Sequence, residues 1–140
     1  MILDEIGTYL QTQGLGTLNT DLFLGFMPDS PDACTALYET VGEAPSLAFH
    51  TNPGEIVLEY PHFQVAVRSA KRDNSATFYT DARTKAQNIW KKLQGLGNVT
   101  LSGASYKYIH ALQSPCFRNR DENQRVIFAA NYRAAKRLSP

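Results

Sequence analysis

Residues 62–69, HFQVAVRS, constrain the fold more than any other segment, because they alternate with a period of two. Phe63, Val65 and Val67 fall on one face and Gln64, Ala66 and Arg68 on the other, the pattern of a strand with a covered side. Such a strand needs neighbours for its backbone and a second layer for its apolar face. A layer follows in the chain. Ala82, Ala86, Ile89, Trp90 and Leu93 recur at helical spacing, and Arg83, Lys85, Lys91 and Lys92 cover the opposite side. The two last lysines suit the C-terminal end of a helix dipole, and Gly95 and Gly97 read as a cap and turn.

The remaining elements surround this pair. Ile2, Leu3, Ile6 and Leu10, flanked by Tyr9, make an amphipathic helix with Asp4 and Glu5 in its first turn, stopped by Gly14 and Gly16. Leu22–Phe26 is a short apolar run of strand length, and Met27-Pro28-Asp29-Ser30-Pro31-Asp32 is rich in turn residues. Residues 34–41 form a second strand, expected to pair with the first as a hairpin across that turn. Gly42, Pro45, Pro53 and Gly54 mark 42–55 as a loop, whose Leu47, Ala48 and Phe49 suit packing onto the domain or a neighbour. Two strands close the chain. In 104–113, Tyr106, Tyr108, His110 and Leu112 alternate with Lys107, Ile109, Ala111 and Gln113. In 124–134, Val126, Phe128, Ala130 and Tyr132 alternate with Arg125, Ile127, Ala129, Asn131 and Arg133. The loop 114–123 between them is too long for a tight hairpin turn. The order α-β-β-β-α-β-β predicts an α+β fold, a mostly antiparallel sheet with two helices packed on one face.

At 140 residues the chain fits one domain spanning 1–140. Fourteen basic and thirteen acidic residues leave a net charge of +1, which is no footprint for duplex nucleic acid and little obstacle to self-association. Cys34 and Cys116 stand apart, without a CxxC pair, and read as reduced thiols. Asp4 and Glu5 occupy the place where a signal peptide would be positive, and no stretch approaches the roughly 18 apolar residues of a membrane span. Folding in a cytoplasm is the expectation.

The chemistry-bearing residues do not gather into a recognisable site. His50, His62 and His110 lie on three segments without metal-ligand spacing, so no metal and no cofactor is expected. There is no GxSxG elbow, and Cys116, although near Arg118 and Arg120, reads as a half-buried thiol. The carboxylate pairs Asp29/Asp32, Glu55/Glu59 and Asp121/Glu122 fall in turns or at strand edges, where solvated acids are ordinary. Gly95-Leu96-Gly97 follows a helix, whereas a dinucleotide fingerprint precedes one. An RNA-stacking surface of Tyr106, Tyr108 and Tyr132 with Lys107, Arg125 and Arg133 is disfavoured because alternation puts aromatics and cations on opposite faces.

From Met1 to about Arg137 the chain resembles the tail terminator and minor capsid proteins of long-tailed bacteriophages. The resemblance is carried by the short first helix, the LFLGFMPDSPD turn, and a strand of the form Q-apolar-x-apolar-Arg (Gln64, Val65, Val67, Arg68). The helix DARTKAQNIWKKLQGL and the closing strands ASYKYIHAL and RVIFAANYRA complete it. It implies a non-enzymatic virion protein at the head–tail interface (the neck), synthesised in the bacterial host cytoplasm. Six copies would ring the top of the tail tube, end its polymerisation and meet the head connector or stopper protein, with DNA passing through the lumen unread and no membrane involved. Another neck component, such as a head-completion protein, and a small RNA- or ligand-binding module are the alternatives.

A ring subunit needs loops and edges that bind identical neighbours, and segments 42–61 and 114–123 fit that need. Phe49, Tyr60, Arg118, Arg120, Asp121 and Glu122 are therefore the candidate contacts with other subunits, tube or connector. Their mixed charge suits a heterologous contact, in which one patch meets a different patch on the next copy.

Overall fold

The computed structural model describes residues 1–48, 56–72 and 77–138. The chain runs α1 (Ile2–Thr12), β1 (Leu22–Leu24), β2 (Cys34–Leu47), β3 (Ile56–Arg68), α2 (Thr77–Leu93), β4 (Leu96–Leu101), β5 (Ala104–Ala111), β6 (Cys116–Arg120) and β7 (Val126–Arg137). The strands form one sheet ordered β1-β2-β3-β7-β5-β4, with β6 also paired to β7. Every pairing is antiparallel except β1 with β2. This is the α+β fold expected from sequence, in the expected order.

The alternation in 62–69 does what its period requires. Phe63, Val65 and Val67 are buried beneath the helices with Val126, Phe128, Ala130, Tyr132 and Ala134 of the neighbouring β7. Phe63 and Tyr132, paired across the strands, stack with ring centroids 5.0 Å apart. From α2, Ala82, Ala86, Ile89 and Leu93 complete the core. The two helices divide the sheet between them. α2 covers β3, β7 and β5 in the middle, while α1 touches β1 and β2 near one edge and β4 at the other. The curled sheet thus brings both its margins to the first helix.

Four features depart from the reading of the sequence. β1 lies parallel to β2, with Leu22 beside Thr35 and Leu24 beside Leu37, so 25–33 is a crossover and not a hairpin turn. Residues 42–47 and 56–61 are strand, not loop, because Gly42 and Pro45 sit on an edge where a missing donor or side chain breaks no ladder. Register shifts at 40/43, 43/46 and 46/47 mark the cost. Two short strands appear where turns were expected. Gly95 leaves α2 with φ +80°, but Leu96 and Gly97 already belong to β4, and 116–120 within the last loop are β6.

Fourth, β5 does not alternate as written. A bulge at Lys107 shifts the register against β7 between Tyr106 and Tyr108. Tyr106 and Ile109 both point into the core, and Tyr108 turns to the outer face beside His110.

Candidate assembly surfaces

The crossover 25–33 is held by two buried arginines. Arg68, at the end of β3, donates from Nε to the Asp32 carbonyl (2.7 Å) and from Nη2 to the carbonyls of Pro28 (2.6 Å) and Pro31 (2.7 Å). Arg125 precedes β7 and meets three carboxylates: Asp29 at 2.7 Å, Asp32 at 3.1 Å and Asp121 at 2.7 Å. It also donates to the Asp29 carbonyl. A guanidinium presents five donors in a fixed plane, which suits a cage of carbonyls and carboxylates. Hydrogen bonds from Arg125 hold the Asp29 carboxyl below the ordinary range. Burial would raise Asp121, but bonds from the backbone and side chain of Arg125 and the backbone of Asn123 outweigh it.

The opposite end of the sheet is an arm. Among the described residues only β3 accompanies β2 beyond Leu37, and residues 39–47 are mostly exposed. Val41 (92% exposed), Leu47, Ile56 and Val57 present apolar side chains to solvent. The arm is locked at its base. Ser46 Oγ and Tyr60 Oη lie 2.9 Å apart, Arg133 donates to Glu43 at 3.0 Å, and its guanidinium lies 5.2 Å from the Tyr60 ring centroid. The same guanidinium lies 5.8 Å from the ring of Tyr108, which stacks on His110 at 4.4 Å. The bulge thus puts aromatics and a cation on one face after all, contrary to the alternation argument. They are packed on one another, so they form no open stacking platform.

At the turn end, β6 pairs with β7 alone among the described residues and is exposed throughout. Phe117 lies edge-on to Phe128, which also receives Tyr79 of α2 at 5.0 Å.

A family profile described as bacteriophage tail terminator protein matches residues 9–137. The chain belongs to the bacteriophage tail terminator family. It is therefore a structural protein of the phage tail and not an enzyme. A chain solved within the virion of a native gene transfer agent particle shares the fold, with a TM-score of 0.61 at 16% identity over 96% of this chain and 94% of that one. No curated protein matches the sequence.

The terminator marks seen in the sequence now have a physical account. In the motif Gln64-Val65-x-Val67-Arg68, the valines enter the core, and Arg68 pins the proline/aspartate crossover. Gln64 binds Asn131 of β7 and accepts from Arg118 of β6. Of the candidate contact residues, Phe49 lies outside the described residues, as do His50 and Glu55. Tyr60 is half-buried in the base of the arm. Arg118, Arg120 and Glu122 are exposed at the far end of the sheet, so the described candidates fall into two groups rather than one patch. Asp121 binds Arg125 and is committed to the turn. Arg68 and Arg125 escaped the sequence reading because their partners lie up to 96 positions away.

Both cysteines are free thiols. Cys34 is buried, and burial pushes its thiol up, whereas Cys116 is exposed and not half-buried as expected. Among the described residues no cluster of three His, Cys, Asp or Glu could hold a metal ion, and no helix is long and apolar enough to cross a membrane. An open groove of about 750 Å³ between the end of α1 and α2 is lined by polar side chains, with Lys85 and Asp21 4.0 Å apart.

Proposed function

We propose that the protein forms a hexameric ring on the tail tube, ends tube polymerisation and presents its other surface to the head connector or stopper. Residues 1–140 would act as one terminator domain at the neck of the virion, with DNA passing through the lumen unread. The supporting observation is the family match, which spans all but the first turns of α1 and includes both the arm and β6. The arrangement suits that role. The two exposed surfaces sit at opposite ends of a rigid sheet, and a head-to-tail contact of unlike patches closes into a ring when the rotation permits.

Tube assembly in vitro tests the reading. Purified tail tube protein should polymerise to uncontrolled lengths alone and stop at shorter lengths when this protein is added, with the added protein seen at one tube end as a hexamer. Unchanged tube lengths, or binding along tube walls, would refute it. Binding to the portal side of DNA-filled heads without tubes would instead identify a head-completion protein.

A further inference from the structure

We propose that the arm formed by β2 and β3 docks on strand β6 of the next copy of this chain. The proposal rests on the ring reading above and names the contact within it. Among the described residues both partners have an unpaired backbone edge, β2 beyond Leu37 and β6 away from β7. Such edges pair with another chain unless something covers them. Both also carry exposed apolar groups, Val41 and Leu47 on the arm, and Phe117 on β6, which shares Phe128 with Tyr79 of α2.

Charge separates the two surfaces further. The arm segments 39–47 and 56–61 contain Glu39, Glu43 and Glu59 and no lysine or arginine, while β6 contains Arg118 and Arg120 and no acid. Glu43 is engaged by Arg133, while Glu39 is exposed. The outer part of the arm, at Leu47 and Ile56, flanks the Arg137 end of β7 and β6 flanks its Val126 end, which strand geometry puts roughly 30 Å apart, so the end of the arm does not reach β6 of its own copy. Each copy therefore gives an arm and receives one.

Cys116, native to β6 and exposed, supplies the probe. The full chain carrying Val41→Cys, and separately Leu47→Cys, is oxidised and run without reductant. At least one should give a ladder of linked copies that disappears when Cys116→Ser is added. Arg118→Glu with Arg120→Glu should cut the ladder about tenfold, and added salt should weaken it as expected for exposed charges. Linked dimers that survive Cys116→Ser mean that arm meets arm and overturn the proposal. The absence of a ladder in both variants overturns it as well. Native mass measurement reads the ring separately. Hexamers without a ladder sink the docking and leave the ring, while a ladder from particles of another copy number sinks the hexamer and leaves the docking.

Discussion

The guanidinium of Arg125 lies 2.7 Å from the carboxylate of Asp29, and the two residues stand 96 positions apart in the chain. Between them they join the start of β7 to the crossover that makes β1 run parallel to β2. Arg125 is buried while Asp29 remains exposed, so the energy of the contact resides mainly in satisfying the arginine.

Replacing Arg125 with Met should therefore destabilise the fold by about 2–4 kcal/mol, below the value for a fully buried pair because the freed carboxylates can reach water. Urea unfolding checks this. Asp29→Ala should cost clearly less, and a loss equal to that of the arginine variant would show that Asp29 carries the contact.

Acid should weaken the fold at both ends of β7. Asp29 and Asp121 are held below their ordinary range by Arg125, and Glu5 is held down by Tyr106, Lys136 and the Met1 amine in spite of its burial. Their protons bind more weakly in the folded state, so the unfolded state gains protons first as pH falls. Stability should be flat near neutrality, begin to drop near pH 4, and keep falling through the lower folded values. Thermal melts across pH 3–7 read it, and a rise in melting temperature on acidification would contradict it.

Glu5 is itself a test of the core. Its carboxylate accepts from the Tyr106 hydroxyl and from Lys136 at 2.9 Å, linking α1 to β5 and β7. Glu5→Gln keeps the shape and leaves the ammonium of Lys136 without its counter-charge, at a cost of about 2–4 kcal/mol. Adding Lys136→Met should recover part of the loss, and a double-mutant cycle measures the coupling.

Gly42 tests the arm. A Cβ there would meet the Tyr60 carbonyl at 2.5 Å, against backbone that has no room to yield. Gly42→Ala should push β2 from β3, at a cost of about 1–3 kcal/mol. Amide exchange should quicken at 40–47 and stay slow in Val65–Val67.

Residues whose partners are near in sequence, or whose face is decided by period alone, were legible. The stripes of α1 and α2 and the alternation of 62–69 fall in that class: the expected stripe residues are buried apart from the partly buried Trp90, while Glu5, Ala66 and Arg68 are buried beyond what period alone gives. The bulge at Lys107 was not, because one extra residue reverses every later side chain and no local signal announces it. Gly42 and Pro45 misled because turn residues are tolerated at an exposed edge. At the candidate contacts, what was legible is exposure. Exposure at Arg118, Arg120 and Glu122 follows from composition, but Asp121 turned inward to an arginine four positions on.

The first helix touches β2 near one margin of the sheet and β4 near the other. Its landing place therefore does not exist until the chain has been made to residue 101. Ile2, Leu3, Ile6 and Leu10 leave the ribosome early and must wait, an apolar stripe with nowhere to go. The helix is synthesised before the strands that house it. Slowed synthesis between 12 and 96 should then favour capture by chaperones over folding.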